Sequence, residues 1–434
     1  NSLMKVYCEE ALKIGDQILN PYSASRHITV ILNPVSKDKK CKYLFEHYVA
    51  PLLHCAGIKV SVVQTESQGE ARGLMSVMAD TDAVVVVGGN GTVQDSITGL
   101  LRRVDADVVV PSMPIGIIPV TNHPLSFSQL FDLKQFFDKD KKRVAEVKML
   151  AEATMAVVRE TVKAIDVVKI EGKEMGTTVF ALNTIDFGLL SDLTKKADKY
   201  WYYGSHLKPY YSLIRGTLFK SSSSLEIPED IRISYTEPCS GCCKCYKKYA
   251  VSKPAKVDDA NVSRRWWHSF IPRQLGSNTQ PVLEPTVDYT KIVNENCGVW
   301  KSLPENHLLN VSVQNSFKNE KLKLVLHTAG DVKKSDLIEE GVKMYRKENF
   351  TSNIAKNVEA EHIRIEFLRN DNQSENSSIN ADECVNKESN EESQEKEIIS
   401  SKNVPNLWFR IDNEDYEAQN VEISLMPKKL RVYC

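Results

Sequence analysis

The first third of the chain alternates between short apolar runs and longer segments whose apolar residues recur at helical spacing. Helical spacing is clear at 41–56 and again at 68–79. The apolar runs predict strands at 27–32 (HITVIL), 58–63, 82–87 (DAVVVV) and 114–119 (PIGIIP). Strands that are apolar throughout and separated by helices are typical of a parallel sheet covered on both faces. We therefore predict a helical lead-in at 1–25 and an α/β domain at 26–143.

Beyond a further predicted helix near 145–158, the period of the apolar positions changes to two. Alternating segments predict strands without crossover helices at 161–171, 177–186, 230–236 and 308–313. We therefore predict a β-rich second domain at 144–434, with a loop insertion at 237–297. Residues 370–403 are rich in Asn, Ser and Glu and poor in apolar side chains, which predicts a disordered insertion.

Charge and apolar content exclude some classes of protein. Lysine and arginine number 56 and aspartate and glutamate 57, which argues against a dedicated nucleic-acid binder. No apolar run reaches the roughly 18 residues that cross a bilayer. Because the first residue is Asn1, we expect the sequence to be part of a longer chain.

Four of the ten cysteines crowd into one short stretch, at Cys239, Cys242, Cys243 and Cys245. Four thiolates are a ligand set for Zn²⁺, but no distant second pair gives the usual spacing of a zinc finger. A variable surface loop is the alternative. The absence of a disulfide framework is typical of a reducing compartment.

Basic residues from Lys244 onward precede the sequence Arg264-Arg265-Trp266-Trp267. Cationic side chains beside tryptophans suit the headgroup layer of a membrane, so we predict membrane contact at 244–270. A solvated loop with its tryptophans packed inside the protein is the alternative.

A glycine-rich loop, Gly88-Gly89-Asn90-Gly91-Thr92, follows the apolar strand at 82–87 and precedes a predicted helix. Such a turn directs backbone N–H groups and the positive end of the helix outward, which forms a phosphate cradle. Thr92 is a candidate cap for this helix. A plain β–α turn is the alternative for a short glycine cluster considered alone.

The loop resembles the GGDGT signature of the diacylglycerol, sphingosine and acylglycerol kinase superfamily. Asp95 and Gly99 match the family's T-x-x-E-x-x-x-G continuation, with aspartate in the glutamate position. Asn33-Pro34 matches its N-P element, and Thr65 its nucleotide-contacting threonine. These matches occur in the family's order at the ends of three successive predicted strands, where ligands of open parallel sheets bind.

The second half of the chain extends the resemblance. The stretch from Phe187 to Gly204 resembles the part of sphingosine and ceramide kinases that holds the polar head of the lipid, and Asp192 takes the position of the substrate-contacting aspartate. Residues 411–414 resemble the family's D-G-E element, with Asp412 and Glu414 as its acids. The aromatic cluster at 200–202 and the closing segment at 426–430 look like the acylglycerol kinase branch.

The resemblance implies a diacylglycerol-kinase catalytic type of α/β domain followed by a β-sandwich-like domain, with ATP and Mg²⁺ as cofactors. It implies transfer of the ATP γ-phosphate to mono- or diacylglycerol, giving lysophosphatidic or phosphatidic acid, in mitochondria at the inner membrane or in the intermembrane space. The implied catalytic residues are Asp95, Asp412, Glu414 and Asn90, the implied metal ligands Asp95 and Asp412, and the implied substrate contact Asp192. The implied nucleotide contacts are Asn33, Pro34, Thr65, Gly88, Gly89, Gly91 and Thr92.

The chain departs from the family's pattern at the predicted cleft. Asn90 replaces the loop aspartate, and an amide carries no charge and cannot act as a general base. Thr121 replaces a glycine in the loop after the fourth strand. These changes leave a second hypothesis open: a catalytically weakened, kinase-like scaffold that binds translocase subunits in a mitochondrial inner-membrane protein-import complex.

Overall fold

The computed structural model describes residues 2–16, 25–121, 142–172, 178–219, 231–245, 291–303, 308–316, 321–328, 333–346, 355–367, 408–412 and 414–434. The chain divides into two compact units, one of Asn1–Tyr235 with Ser302–Cys434 and one of Thr236–Lys301. The basic and tryptophan-rich sequence at 264–270 and the predicted disordered insertion at 370–403 lie outside the described residues. None of the described helices has both the length and the apolarity to cross a bilayer.

The amino-terminal part of the first unit is a parallel sheet with helices on both faces, as predicted. Its strands are β1 (His27–Leu32), β2 (Lys59–Gln64), β3 (Ala83–Gly88) and β4 (Ile115–Pro119), in the order β2-β1-β3-β4. Its helices are α1 (Ser2–Gly15), α2 (Ser36–Lys39), α3 (Cys41–Leu44), α4 (Ala50–Cys55), α5 (Glu70–Val77), α6 (Asn90–Leu101), α7 (Ala106–Ser112) and α8 (Lys142–Val158). A π-helical turn, Phe45–Val49, joins α3 to α4.

Strand β3 shows why both faces of this sheet are covered. Its side chains alternate between two apolar clusters, with Val85 and Val87 in one and Val84 and Val86 in the other. Helices α4 and α8 contribute to the first cluster and α6 to the second. Because α8 packs on this sheet, the chain on both sides of the predicted boundary at residue 143 contributes to one core. The predicted domain boundaries themselves stay a prediction.

The rest of the described chain is rich in antiparallel strands. The strands that follow in the chain are β5 (Val162–Gly172), β6 (Thr178–Ala181), β7 (Thr184–Gly188), β8 (Ile231–Thr236), β9 (Trp300–Ser302), β10 (Leu308–Ser316), β11 (Lys321–Thr328), β12 (Ala355–Ala360), β13 (His362–Phe367), β14 (Trp408–Ile411), β15 (Glu414–Glu417) and β16 (Val421–Tyr433). The helices are α9 (Leu189–Lys196), α10 (Gly204–Phe219) and α11 (Lys334–Arg346), with a 3₁₀ segment, Ala197–Tyr203, between α9 and α10.

A β-sandwich forms where two sheets pack face to face, as the family resemblance implied. One sheet has the order β12-β11-β10-β7-β14-β15. The other face comes from β5, β6, β13 and β16. Side chains from both sheets, among them Ile170, Phe187, Val311 and Ile423, form one buried apolar cluster.

The last strand links the sandwich to the parallel sheet. Strand β16 pairs antiparallel with β5 along most of its length, and at its end Val432 and Tyr433 pair in parallel with β4. The parallel sheet therefore continues into the sandwich through one strand. A residue of the sandwich, Glu414 of β15, lies beside the carboxyl ends of the parallel strands.

Candidate functional site

A cavity of about 410 Å³ lies at the carboxyl ends of β1, β2 and β3. Open parallel sheets bind ligands at this edge. Eight predicted site residues line it: Asn33, Thr65, Gly89, Asn90, Gly91, Thr92, Asp95 and Glu414. Four others, Pro34, Gly88, Asp192 and Asp412, are not among its lining residues.

The glycine loop turns directly from β3 into α6. Strand β3 ends at Gly88, and Gly89 has an extended backbone (φ −85°, ψ −177°) before α6 begins at Asn90. A Cβ atom at Gly89 would meet only the Ser36 Oγ atom, at 3.9 Å, so a ligand has room beside this backbone, whose N–H group donates a hydrogen bond of 3.2 Å to the Ser36 Oγ atom. A Cβ atom at Gly88 would lie 2.9 Å from the Thr92 Oγ1 atom, so Gly88 allows the tight turn.

Thr92 ties the glycine loop to the end of β1. The Asn33 Nδ2 group donates a hydrogen bond of 2.8 Å to the Thr92 Oγ1 atom, while the Asn33 Oδ1 atom accepts one of 3.1 Å from the Val35 N–H group. The capping prediction for Thr92 is wrong, because Thr92 lies within α6 and Gly89 is the N-cap residue. Thr92 instead holds two ligand-facing loops in register.

Two acidic side chains face the glycine loop. Glu414 lies against Gly91 so closely that a Cβ atom there would be 1.9 Å from the Glu414 Oε1 atom. The Gln68 Nε2 group donates a hydrogen bond of 3.1 Å to the other carboxylate oxygen. Burial raises the pKa of Glu414, and the negative charges of Asp95 and Asp415 raise it further. The direction of this shift shows that acidic groups lie close together beside the glycine loop.

Asp95 is held in place from the neighbouring helix. The Arg72 side chain of α5 contacts the Asp95 Oδ1 atom through Nε and Nη2. The two helices approach closely because Gly99 has no side chain: a Cβ atom there would lie 2.3 Å from the Arg72 backbone oxygen. Gly99, which the family pattern singled out, therefore brings the carboxylate and its arginine together.

Asp412 binds backbone N–H groups, which differs from its predicted role as a metal ligand. Its Oδ2 atom accepts a hydrogen bond of 2.6 Å from the Leu182 N–H group, and its Oδ1 atom accepts bonds of 2.9 and 3.0 Å from the N–H groups of Asn183 and Thr184. These residues form the corner at which the chain passes from β6 in one sheet to β7 in the other. Because both oxygens serve this corner, the geometry does not support Asp412 as a metal ligand.

Asp192, the predicted substrate contact, lies on α9, away from the lining of the cavity. Helix α9 is fastened to α10 beside this aspartate. The Ser212 Oγ group donates a hydrogen bond of 2.6 Å to the Leu193 backbone oxygen, and a Cβ atom at Gly216 would lie 2.1 Å from the Leu193 Cδ2 atom. Asp192 therefore belongs to a pair of tightly packed helices.

Asn90 occupies the position of the family's loop aspartate and is almost fully buried, with 7% of its surface exposed. Among the described residues, its Oδ1 atom finds no hydrogen-bond partner. A buried acceptor without a partner costs free energy, so this atom fits a ligand that supplies a cation or a donor.

The cavity also includes residues that sequence reasoning missed, in the loop between β2 and α5. Ser67, Gln68 and Gly69 follow Thr65 and also line the cavity, where Gln68 contacts Glu414. The signal available was Gly69, whose φ of 82° requires glycine at the start of α5. The loop after β4, in which Thr121 replaces the family's glycine, is described only as far as Thr121.

Together these features fit a nucleotide with its divalent cation. The open backbone at Gly89 fits a phosphate, and the oxygens of Asn90, Asp95 and Glu414 are the hard ligands that Mg²⁺ prefers. The negative charge around Glu414 also fits a cation.

Comparisons with known proteins find relatives of this chain. Residues 27–170 match the family described as the diacylglycerol kinase catalytic domain. The chain is 27% identical to the mitochondrial acylglycerol kinase of Homo sapiens over 440 residues, covering 100% of this chain and 88% of that protein. The mitochondrial acylglycerol kinase of Xenopus laevis is 38% identical over 204 residues, which cover 47% of this chain and 45% of that protein.

A more distant relative and a solved structure extend the comparison. The sphingoid long-chain bases kinase 1 of Arabidopsis thaliana is 30% identical over 175 residues, covering 39% of this chain and 21% of that protein. A crystal structure of a diacylglycerol kinase from Bacillus anthracis aligns with a TM-score of 0.45 and 14% identity, covering 94% of this chain and 96% of that one. The chain thus carries a match to the diacylglycerol kinase catalytic domain at 27–170, and it resembles the mitochondrial acylglycerol kinases over its whole length.

Proposed function

We propose that the protein is an ATP-dependent kinase that phosphorylates a hydroxyl of mono- or diacylglycerol, giving lysophosphatidic or phosphatidic acid. The observation that carries this proposal is the cavity at the strand ends, where a glycine loop with open backbone faces the carboxylates Asp95 and Glu414. Similarity to the acylglycerol kinases over the whole chain supports the substrate class.

Phosphoryl transfer needs positioning and control of negative charge more than covalent chemistry. In our proposal Gly89 and the amino-terminal end of α6 bind phosphate, while Asn33 and Thr92 keep the two loops in register. Asp95, Glu414 and the Asn90 Oδ1 atom would hold Mg²⁺. When bound, Mg²⁺ neutralises phosphate charge and orients the group that is transferred.

The lipid would reach the protein along α10. Leu207, Tyr210, Ile214 and Leu218 are exposed large apolar side chains on this helix. Their spacing places them on one face, because at 100° per residue they fall within about an 80° arc. Since α10 is fastened to the helix of Asp192, we propose that this face rests on the bilayer and presents the substrate near Asp192.

A second candidate function is the kinase-like scaffold, and the amide at Asn90 favours it. A neutral residue in the loop and an Asp412 committed to a backbone corner leave the cavity with fewer acids than the family pattern has. In that case the fold would serve binding to inner-membrane translocase subunits. Mitochondrial placement, which the names of the relatives suggest, is common to both candidates.

A titration with Mg·ATP separates the two candidates. A nucleotide that binds the native state raises the melting temperature by mass action. We expect an increase in melting temperature with Mg·ATP, and labelled product from monoacylglycerol or diacylglycerol in vesicles on the same sample. A folded protein that shows no shift at millimolar nucleotide and forms no product would contradict the kinase and favour the scaffold.

A further inference from the structure

Four cysteine sulfur atoms converge in the unit Thr236–Lys301. Cys239, Cys242 and Cys245 come from one end of this unit and Cys297 from the other, and their sulfur atoms all lie within 4.8 Å of one another. The first three are buried and Cys297 is half-buried. The distant fourth ligand, which the crowded sequence motif lacked, is therefore Cys297.

The sulfur spacing suits a shared metal ion better than a disulfide. In a tetrahedral site with Zn–S bonds of about 2.3 Å, neighbouring sulfurs lie about 3.8 Å apart. The Cys242 and Cys245 sulfurs are 3.6 Å apart. A disulfide bond requires about 2.05 Å between its sulfurs, so this pair is too far apart to be one.

Hydrogen-bond donors surround these sulfurs as they do in metal–thiolate sites. The Cys242 N–H group donates to the Cys245 Sγ atom at 3.3 Å, and the Asn294 Nδ2 group donates to the Cys239 Sγ atom at 3.3 Å. Such donors orient thiolate ligands and offset part of their charge.

The backbone holds the two ends of the unit together at the cluster. The Cys243 N–H group donates a hydrogen bond of 2.8 Å to the Ile292 backbone oxygen. Turns at Cys242–Cys245 and Asn294–Cys297, closed by hydrogen bonds of 3.1 and 3.3 Å, set the direction of the cysteine side chains. The site is thus formed by two short loops that meet, as in many structural zinc sites.

The unit has little else to hold it together in its described part. Within 236–245 and 291–301, the buried residues are the three cysteines with Thr236 and Gly241. The apolar cluster of this part consists of Cys239, Cys242 and Cys245 with Cys297 packed against them. Because the described part of this unit has no larger apolar core, it needs another stabilising link, and a bound metal supplies one.

We propose that Cys239, Cys242, Cys245 and Cys297 bind one structural Zn²⁺ ion. Four thiolates form a closed tetrahedral set without an open position, which is the arrangement of structural rather than catalytic zinc. Soft sulfur ligands select zinc over Mg²⁺ or Ca²⁺. The ion joins the two ends of the long segment between Cys245 and Cys297, and its binding stabilises this unit's fold.

Metal analysis of the full chain, purified under reducing conditions from zinc-supplemented medium, tests the proposal. We expect about one zinc per chain in the wild type, and loss of at least about nine-tenths of it in Cys297→Ser and Cys242→Ser, because three thiolates bind zinc more weakly than four. Cys243→Ser is the matched control, since Cys243 lies in the same loop but outside the cluster, and it should retain the zinc.

A second measurement covers the case in which the variants fail to fold. Wild-type protein stripped of metal with a chelator and reloaded with Co²⁺ should show the intense visible absorption of tetrahedral cobalt–thiolate coordination, and Zn²⁺ should abolish it. The proposal would be overturned by a metal-free wild type that also fails to bind Co²⁺, by zinc content unchanged in Cys297→Ser, or by iron as the metal found.

Discussion

The absence of a side chain at Gly91 lets the Glu414 carboxylate reach the glycine loop. In Gly91→Ala the new Cβ atom would lie only 1.9 Å from the present position of the Glu414 Oε1 atom, so the two would clash. The end of a glutamate side chain is flexible, so we expect it to move while the fold persists. If Glu414 helps to hold the cation, phosphorylation should fall by about 10²-fold. A lipid-phosphorylation assay measures this change.

Gly89→Ala is the matched variant for Gly91→Ala. A Cβ atom at Gly89 meets only an ordinary contact in the protein alone, so the melting temperature without ligand should stay close to that of the wild type. The same atom would stand where we place phosphate, so the shift caused by Mg·ATP should shrink. Wild-type phosphorylation by Gly91→Ala would contradict the role of Glu414, and an unchanged Mg·ATP shift in Gly89→Ala would contradict the cradle.

Glu414 should also make the protein less stable at neutral pH than a neutral side chain would. Burial and the charges of Asp95 and Asp415 raise the pKa of Glu414 in the folded state. A raised carboxyl pKa favours folding below the ordinary value of about 4.3, and this contribution is lost as pH rises through the folded pKa. Without Mg²⁺, Glu414→Gln should therefore melt at a higher temperature than the wild type near neutral pH, and at the same temperature near pH ~4.

The control for Glu414→Gln is Glu46→Gln, which removes one carboxylate from an exposed position of the chain. Only Glu414→Gln should show a gap that opens as pH rises. A Glu414→Gln variant that melts below the wild type at neutral pH would show that the carboxylate is compensated within the folded protein.

Residue identity at the site could be predicted from the sequence, but residue roles could not always be. Gly88 to Thr92, Asn33 and Thr65 follow three strands whose apolar runs are short and clear, so their meeting at one edge follows from the parallel sheet. The role of Asp412 depends on three backbone N–H groups more than two hundred positions earlier in the chain. A sequence motif contains the acidic residue but not the distant backbone groups that it binds.

Helix α10 is the element that we propose contacts the membrane. Leu207 and Leu218 are 61% and 58% exposed on the face that we propose rests on the bilayer. Changing both to Glu removes two apolar anchors, each worth about 1.5–3 kcal/mol when buried in lipid, without disturbing the core. We expect vesicle binding to weaken by at least about tenfold in a sedimentation assay.

Val104→Glu is the control for the α10 variant, since Val104 is fully exposed elsewhere on the first unit and should leave vesicle binding unchanged. Phosphorylation of a water-soluble, short-chain acylglycerol should survive the change to α10. Vesicle binding by the double variant at wild-type strength would remove α10 from the membrane surface.

The prediction of helices and strands was accurate where a periodic pattern extends over many residues. It failed at the corner between β6 and β7. The sequence predicted one strand at 177–186, whereas the structure has Thr178–Ala181 and Thr184–Gly188 in two different sheets. Apolar residues alternate in both strands, so the periodic pattern continues through the turn between them. The break at Leu182–Asn183 exists because Asp412 binds the N–H groups there, which is a contact that no local pattern contains.

Across the whole chain, the features that the sequence could not predict are those that join its distant parts. Cys297 completes a cysteine cluster that begins at Cys239, and β16 returns from the sandwich to pair with β4. Each contact depends on how the chain closes on itself, whereas a pattern reports only what lies nearby in sequence. The fold class was predictable because alternation and helical spacing are local.

Strand β16 makes the stability of the parallel sheet depend on the sandwich. Leu430 of β16 is fully buried in the cluster that includes Val84 and Ile115 of the parallel sheet, and it pairs with Ile165 of β5. Leu430→Ala should lower the free energy of unfolding by about 2–5 kcal/mol, measured by urea denaturation. The neighbouring Lys429→Ala removes only a surface ion pair with Asp107, so it should cost at most about 1 kcal/mol.

Hydrogen exchange shows whether this loss reaches both sheets. If β16 couples them, amide protection in Leu430→Ala should fall together in β3, beside the glycine loop, and in β10, in the far sheet of the sandwich. The Mg·ATP thermal shift should then weaken as well, although Leu430 is not among the residues that line the cavity. Protection that falls in β3 and stays at its wild-type level in β10 would show that the parallel sheet opens by itself, with β16 acting only as its edge.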